Sequence, residues 1–332
     1  MTVRGPLVAS SGDPAGVGPE LLAKAWLTRA DHDLAPFAVV ASLSHMQSVA
    51  GAIPVRAITD LSQAADLFGA ALPVLDLGPL DQTPGMPTHE GARMALASLE
   101  RATALTVAGE ASALVTGPIA KAELQKIGFS HPGQTEFVAA ACGIAADDAV
   151  MMLAGPSLRV VPMTVHVALA AVPNLLTIDL IARRIRIAAR ALQRDFGLAR
   201  PRIAVAGLNP HAGEQGRMGD EEIRVIAPAV EQLRAEGMGV TGPLAGDTMF
   251  HAEARERYDL AVCMYHDQAL IPLKALDFNA GVNVTLGLPI IRTSPDHGTA
   301  FALAGTGRAS AGPTVAAIRM AADCAARRAN FA

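Results

Sequence analysis

Short apolar runs that alternate with helical patterns constrain the fold of this chain more than any other feature. The runs expected to form strands lie at 7–10, 37–41, 55–58, 113–116, 150–153, 159–165, 202–206 and 260–264. Helical spacing is found at 88–108, 121–127 and 177–196. Runs of four to eight apolar residues are typical of strands buried on both faces. Their alternation with helices predicts βαβ units and a largely parallel sheet.

Composition narrows the classes of protein that this chain can represent. The chain has 332 residues, enough for two α/β units, and is 51% hydrophobic but only 4% aromatic. Its core must therefore be built from Ala, Val, Leu and Ile. The net charge is −4, and the basic residues cluster only on the helix face Arg183-Arg184-Arg186. A nucleic-acid partner is excluded, because it requires a larger positive surface.

Cysteine usage and the apolar segments indicate a cytoplasmic protein with no membrane partner. The three cysteines, Cys142, Cys263 and Cys324, form no CxxC motif and fit a reducing compartment. No signal peptide is recognisable in the N-terminal segment. The most apolar stretch, 160–178, is interrupted by two prolines, a histidine and an asparagine, so it is not expected to span a membrane.

Polar residues in the apolar segment 260–298 point to a binding site. The run 260–264 ends at Tyr265-His266-Asp267, and Lys274, Asn283 and Arg292 follow among apolar neighbours. Lys and Arg are almost never fully buried without a partner. Each of these residues alone is compatible with an ion-paired framework residue. Together they indicate an anion pocket beside a metal ligand.

Three histidines, His166, His211 and His266, each follow a separate apolar run. Ligands of open α/β sheets bind outside the carboxyl ends of the strands, so these side chains could converge. Three neutral imidazoles suit Zn²⁺, with Co²⁺ as a competitor. Their wide separation matches no local ligand signature, which leaves ordinary structural histidines as the alternative. Asp247 and Asp267 are candidates to orient the ligands or, equally, to cap helices.

The segment Gly12–Gly18 follows the first predicted strand, and Pro19-Glu20 then begins a helix. A strand, a glycine loop and a helix start can offer backbone N–H groups to an anion. The glycines lack the GxGxxG spacing, so a simple turn is the alternative.

Several sequence blocks together resemble the 4-hydroxythreonine-4-phosphate dehydrogenase family of vitamin B6 biosynthesis. The blocks keep their order along the chain and are SSGDPAGVGPE at 10–20, VTGPIAKAEL at 115–124, HPGQTEF at 131–137, MTVHVAL at 163–169, GLNPHAGEQGRMGDEE at 207–222, YHDQALIPLK at 265–274 and VNVTLGLPIIRTSPDHGTA at 282–300. A series of matching blocks over nearly the whole chain indicates a family far more specifically than a single glycine motif does.

The resemblance implies an isocitrate/isopropylmalate-dehydrogenase-like fold with two α/β/α lobes and a cleft between them. We expect a discontinuous first lobe, 1–125 plus 300–332, and a second lobe, 126–299, with the metal site and the dimer interface. By the same resemblance the active site lies at the subunit interface of a homodimer, and the ligand histidines come from both subunits.

The resemblance also implies the reaction and the residues that serve it. The substrate would be 4-phosphooxy-L-threonine, oxidised at C3 by NAD or NADP and then decarboxylated to 3-amino-2-oxopropyl phosphate. A divalent metal, Zn²⁺ first and Mg²⁺ or Co²⁺ as alternatives, would be bound by His166, His211 and His266. The residues implied to bind substrate are Gln134, Thr135, Lys274, Asn283 and Arg292.

One position departs from the family pattern and keeps other substrates open. The family commonly has His at the position of Gln134, within GHTEF. Glutamine donates and accepts hydrogen bonds but cannot transfer a proton near neutral pH. Dehydrogenases of 4-phospho-threonate or 4-phospho-erythronate share most of the blocks and are the nearest alternative. A phosphate acetyltransferase and a solute-binding module are more distant alternatives. The three histidines argue against the acetyltransferase.

Overall fold

The computed structural model describes residues 5–331, and these divide into two compact units. Unit 1 comprises the chain up to Ala149 and from Leu288 onward, and unit 2 is Val150–Gly287. The chain therefore crosses between units at 149/150 and 287/288 rather than at the expected 125/126 and 299/300. The reason is packing, because Val138, Ala139 and Ile290 belong to the hydrophobic core of unit 1.

Unit 1 is built from βα repeats followed by a helical segment and a returning strand and helix. Its elements are β1 Leu7–Ser10, α1 Gly18–Leu27, β2 Phe37–Ala41, α2 Leu43–Ala50, β3 Val55–Ile58, α3 Ala64–Phe68, β4 Leu72–Asp76, α4 His89–Val107, β5 Leu114–Thr116, α5 Lys121–Lys126, α6 Gln134–Ala141, β12 Arg292–Pro295 and α12 Gly312–Ala329. Its strands lie in the order β3-β4-β2-β1-β5-β12, and neighbouring strands are parallel.

Helices cover both faces of the unit 1 sheet. Val8 and Val40 pack with Leu99 of α4 in one core cluster. Side chains alternate between faces along a strand, so the neighbours of these residues point to the opposite face. On β12, Thr293 donates its hydroxyl to Ala317 O of α12 at 3.0 Å. Arg292, the preceding residue, therefore points toward the α4 and α6 side.

Unit 2 is continuous in sequence and mixes parallel and antiparallel pairs. Its elements are β6 Val150–Ala154, β7 Arg159–Pro162, α7 Val172–Leu175, α8 Ile178–Phe196, β8 Ile203–Ala206, α9 Ala227–Ala235, β9 Val240–Leu244, α10 Ala252–Arg255, β10 Leu260–Cys263, α11 His266–Asp277 and β11 Val282–Leu286. The strand order is β11-β6-β7-β10-β8-β9. β6 is antiparallel to both β11 and β7, and the remaining pairs are parallel.

The predicted α/β class is confirmed, and the expectation of a largely parallel sheet holds in unit 1. In unit 2 the sheet is not wholly parallel, because a tight turn joins β6 to β7 and makes them antiparallel. Gly155 N–H closes this turn by donating to Leu158 O at 2.8 Å. Thr177 caps α8, since its hydroxyl accepts a hydrogen bond from Leu180 N–H at 3.1 Å. Between residues 5 and 331, no helix combines the length and the apolarity needed to cross a membrane.

Candidate active site

The three candidate metal ligands of unit 2 follow adjacent parallel strands. β10 lies between β7 and β8, and it is parallel to both. His166 lies beyond β7, His211 beyond β8, and His266 is the first residue of α11 after β10. The carboxyl ends of parallel strands meet at one edge, so the loops that carry the three histidines all begin at this edge.

His166 and His266 are brought together, with ring centroids 5.6 Å apart. Two imidazoles on one tetrahedral ion, each nitrogen 2.0–2.1 Å from it, have centroids about 5 Å apart. Asp267 Oδ1 lies 2.7 Å from Nδ1 of His266, an arrangement that fixes the ring and leaves Nε2 for a ligand. The pair lines a cavity of about 260 Å³ together with Thr164, Val167, Leu169, Val172 and Tyr265.

His211 lies on a neighbouring loop that is tied to the start of α11. Gln268 makes the connection: its Nε2 donates to Gly207 O at 2.8 Å, and its Oε1 accepts from Met264 N–H at 2.7 Å. The exposed Asp247 lies in the turn Gly246–Thr248, which contacts the loop of His211. The sequence reasoning missed Gln268. The signal that could have found it is its position two residues after a candidate ligand.

Two of the three histidines have left-handed backbone conformations. φ is 53° at His166 and 51° at His211. The left-handed conformation costs a non-glycine residue roughly 1–2 kcal/mol. Such residues cluster at functional sites, where the surrounding structure holds them in place. The backbone of unit 2 is therefore strained at His166 and His211, two of the three residues that the sequence identifies as candidate metal ligands.

The imidazole nitrogens of these histidines suit a divalent metal, but the residues described in one chain do not form a complete set of ligands. Imidazole nitrogens suit Zn²⁺ and Co²⁺, and the His266–Asp267 contact is the outer support that metal-bound histidines usually have. Among residues 5–331, however, no three His, Cys, Asp or Glu side chains are grouped closely enough to hold an ion. The adjacent imidazoles supply two ligands of the three that a catalytic zinc site requires.

In unit 1, Arg292 is a buried cation with hydroxyl partners. Its side chain is only 3% exposed. Nε and Nη2 donate to Thr116 Oγ1 at 3.1 and 2.8 Å, and Nη1 donates to Thr135 Oγ1 at 3.2 Å. Burial lowers the pKa of Arg292 to about 10, and the negative charge of Glu136 opposes that effect. A buried guanidinium of this kind is well suited to bind an anionic ligand.

Gln134 and Asn283 each present a buried acceptor atom. Gln134, the first residue of α6, donates its Nε2 to Gly117 O at 3.0 Å, so its Oε1 is the free end of the amide. Within residues 5–331, Gln134 Oε1 and Asn283 Oδ1 are both buried without a hydrogen-bond partner. Such orphaned atoms are rare in native proteins and indicate where a ligand supplies the missing donor.

Lys274 and Asn283 belong to unit 2, whereas Gln134, Thr135 and Arg292 belong to unit 1. Lys274 is partly buried on α11, with Nζ 6.0 Å from the Phe278 ring centroid. The implied substrate residues are thus distributed over both units.

The glycine loop of unit 1 forms a turn in which several backbone N–H groups already have protein partners. The N–H groups of Asp13, Ala15, Gly16 and Val17 all donate to protein oxygens at 2.8–2.9 Å. A Cβ at Gly117 would lie 2.6 Å from Ser11 O, so the glycines serve the close approach of two loops. Burial raises the pKa of the Asp13 carboxyl, against the lowering effect of the Ala15 N–H.

Comparison with known proteins gives the family. The profile described as "Pyridoxal phosphate biosynthetic protein PdxA" matches residues 33–321. The chain is 57% identical to the 4-hydroxythreonine-4-phosphate dehydrogenase of Erythrobacter litoralis and 54% to that of Zymomonas mobilis, over 98% of both chains in each case. The crystal structure of the Klebsiella pneumoniae enzyme of that name matches with a TM-score of 0.85 at 38% identity, over 97% of this chain and 98% of that one.

The names of these relatives place the chain, an α/β protein, in the oxidoreductase class. The chain belongs to the PdxA family of pyridoxal phosphate biosynthetic proteins.

Proposed function

We propose that the chain is a 4-hydroxythreonine-4-phosphate dehydrogenase of vitamin B6 biosynthesis. It oxidises 4-phosphooxy-L-threonine at C3 with NAD or NADP, and the product loses CO₂ to give 3-amino-2-oxopropyl phosphate. The observation that carries the proposal is 57% identity over 98% of both chains to a relative of that name, a match that includes both units. Its three free cysteines agree with a cytoplasmic enzyme.

His166, His211 and His266 would hold the divalent metal, with Zn²⁺ first and Co²⁺ or Mg²⁺ as alternatives. When bound, the cation supplies Lewis acidity, which favours loss of the alcohol proton and stabilises negative charge during decarboxylation. Asp267 keeps the His266 ring in one orientation through the 2.7 Å contact at Nδ1. Gln268 fixes the start of α11 relative to Gly207, and thus holds the bases of two ligand-bearing loops together.

Arg292 and Lys274 would bind the phosphate of the substrate, assisted by Thr135. Arg292 is already oriented by Thr116 and Thr135, so little side-chain entropy is lost when an anion binds. The buried acceptors Gln134 Oε1 and Asn283 Oδ1 would accept from the amino and hydroxyl groups of the substrate. These residues orient the substrate and exclude water from it.

The active site would be shared between two subunits of a homodimer. Exposed apolar side chains lie close in sequence to all three histidines: Val167 and Leu169 after His166, Met218 and Ile223 after His211, and Ile271, Leu276 and Phe278 after His266. Large exposed apolar surfaces mark interaction sites. An interface here would cover them and would bring His211 of the second subunit to the His166–His266 pair.

A second candidate substrate class follows from Gln134. Its amide accepts equally well from an ammonium or from a hydroxyl group, so 4-phospho-threonate and 4-phospho-erythronate also fit this position. The acetyltransferase and solute-binding alternatives are set aside, because the full-length relatives are named as dehydrogenases.

The test is the absorbance of reduced nicotinamide with each of the three phosphorylated acids and with NAD or NADP. The protein is assayed as purified, after treatment with EDTA, and after addition of Zn²⁺, Co²⁺ or Mg²⁺. We expect the highest kcat/KM with 4-phosphooxy-L-threonine and recovery of activity only with metal. Preference for one of the other acids would change the substrate, and full activity in metal-free protein would refute the metal site.

A further inference from the structure

The loop that carries His211 has an unusual backbone. From His211 to Gln215 every φ is positive, with values of 51°, 51°, 76°, 41° and 59°. Only the third of these residues is glycine. L-amino acids normally adopt this conformation as single residues and not as a run, so the surrounding structure must hold the loop in place.

The carboxylate of Glu222 lies directly against this loop. Its side chain belongs to a residue that is only 3% exposed. Oε1 accepts from the backbone N–H of Asn209 at 2.7 Å, and Oε2 accepts from Asn209 Nδ2 at 3.0 Å. A Cβ at Gly213 would lie 2.5 Å from Oε2, so the carboxylate also contacts the middle of the loop. Glu222 therefore supports the loop at its entry and at its centre.

The local helix geometry agrees with a functional role for Glu222. It is the first residue of a π-helical turn, Glu222–Ile226, that precedes α9. Turns of this kind are frequent at functional sites, and they shift the side chains that follow out of the α-helical register. Glu221 also contacts Asn209, accepting from Nδ2 at 2.7 Å, but it is partly exposed and makes only this bond to Asn209.

We propose that Glu222 is a positioning residue for His211. Its buried carboxylate holds the loop 209–215 in the left-handed conformation that presents the His211 imidazole to the metal. The inference rests on the proposed function in one respect, namely that His211 is a metal ligand. It adds that the affinity of the metal depends on a carboxylate that does not contact the ion.

The experiment compares Glu222→Gln with the matched control Glu221→Gln in the full-length protein. Glutamine keeps the size of the side chain but replaces one acceptor oxygen with a donor, which opposes the donors of Asn209. Affinity for Co²⁺ is measured without substrate, by competition with a chromophoric chelator. Loss of support for a ligand typically weakens metal binding roughly 10–100-fold. We expect that loss for Glu222→Gln and less than about a threefold change for Glu221→Gln.

Hydrogen exchange of the peptide 207–217 gives a readout of the loop that is independent of activity. It should accelerate in Glu222→Gln and stay unchanged in Glu221→Gln. Wild-type metal affinity together with wild-type exchange in Glu222→Gln would overturn the inference. A fall in thermal stability with unchanged metal affinity would also overturn it, because the role would then be only structural.

Two further variants keep the result interpretable. If Glu222→Gln does not fold, Asn209→Ala removes the side-chain bonds to Glu221 and Glu222 and leaves the backbone bond to Glu222, and it should weaken Co²⁺ binding several-fold. Unchanged affinity in Asn209→Ala would then count against the inference. His211→Ala separates this inference from the proposed function: if it binds Co²⁺ like wild type, the metal site itself is wrong. If it binds weakly while Glu222→Gln binds normally, only the role of Glu222 fails.

Discussion

The two units differ in how complete their functional groups are within one chain. In unit 1, Arg292 is buried and oriented by two threonines, and the large hydrophobic residues are mostly covered. In unit 2, His166 and His211 are exposed and have left-handed backbones. Within residues 5–331, ten large hydrophobic side chains are exposed in unit 2 and five in unit 1, although unit 2 is the smaller.

The difference indicates which part of the site requires a second molecule. A buried and preorganised arginine is ready to bind an anion without further assembly. Exposed histidines among exposed apolar residues are typical of a site that an interface completes. Unit 1 would thus contribute a preformed cation for anion binding, whereas the metal site of unit 2 would depend on dimerisation.

The largest expected effect tests whether unit 2 is incomplete in one chain. His211→Ala and His266→Ala homodimers should each lose about 1,000-fold or more in kcat, since metal assistance contributes several kcal/mol. If the two ligands come from opposite subunits, a mixed dimer contains one intact site. Co-refolding equal amounts should then restore roughly a quarter of wild-type activity, because about half of the dimers are mixed. No recovery, with heterodimers confirmed by native mass spectrometry, would refute this sharing.

The next effect separates the apolar surfaces of the two units. Ile271 of α11 is 66% exposed and Leu27 of α1 is 57% exposed. Ile271→Asp should disrupt the proposed interface, because a carboxylate would be buried there without a partner. We expect a monomer in sedimentation and a loss of activity of at least tenfold. Leu27→Asp, the control, should stay dimeric and active. If both variants had the same oligomeric state and activity, the apolar surface of unit 2 would not differ in function from that of unit 1.

The anion-binding role of unit 1 predicts a change in KM. Arg292→Ala should raise KM for the phosphorylated substrate roughly 10–150-fold, since a buried charge-assisted bond contributes about 1.5–3 kcal/mol. Loss in kcat should be milder, and Lys274→Ala in unit 2 should behave similarly, because both cations would bind the same phosphate. Arg56→Ala, an exposed arginine of β3, is the matched control and should leave KM unchanged. If Arg292→Ala had the KM of the wild type, Arg292 would have only a structural role and would not bind the substrate.

The smallest effect concerns the interior of unit 1. His45 is 4% exposed, and its Nε2 lies 3.0 Å from Pro14 O. Burial lowers the pKa of His45 below its usual 6.5. The unfolded state therefore binds a proton at a higher pH than the folded state, and stability falls as the pH drops below 6.5. His45→Gln keeps a donor but does not titrate.

The check is the unfolding free energy of both proteins between pH 7.5 and 5. The wild type should lose stability more steeply, by less than about 1.4 kcal/mol per pH unit. Parallel curves would show that His45 does not contribute to the acid sensitivity of unit 1.

Several strand ends could be predicted from the sequence because the apolar runs there end abruptly. β1, β2 and β3 have the predicted bounds, 7–10, 37–41 and 55–58. β4, β9, β11 and β12 were not anticipated. Arg292 and Ser294 interrupt the apolar pattern of β12, which removes the signal, and Arg292 is polar here because it contacts Thr116 and Thr135.

The candidate site was only partly predictable for a similar reason. Strand-end histidines and interior cations stand out because such residues are unusual in an apolar context. Glu222 and Gln268 do not stand out in this way, since an acidic residue and a glutamine near a helix start are ordinary, and only the proximity of Gln268 to His266 in the sequence points to it. Their importance follows from long-range contacts with Asn209 and Gly207, which sequence spacing does not show.

The discontinuity of unit 1 has a consequence for biosynthesis. Val150 and Leu286 pair in one ladder, so unit 2 closes on itself near its own ends. Unit 1 cannot be completed in this way, because β12 and α12 emerge from the ribosome only after about 140 residues of unit 2. At 5–20 residues per second this delay is about 7–28 s. During that interval the β5 edge and the surface that α12 later covers have no partner from their own unit. The nascent chain is therefore most vulnerable to aggregation before its final 40 or so residues appear.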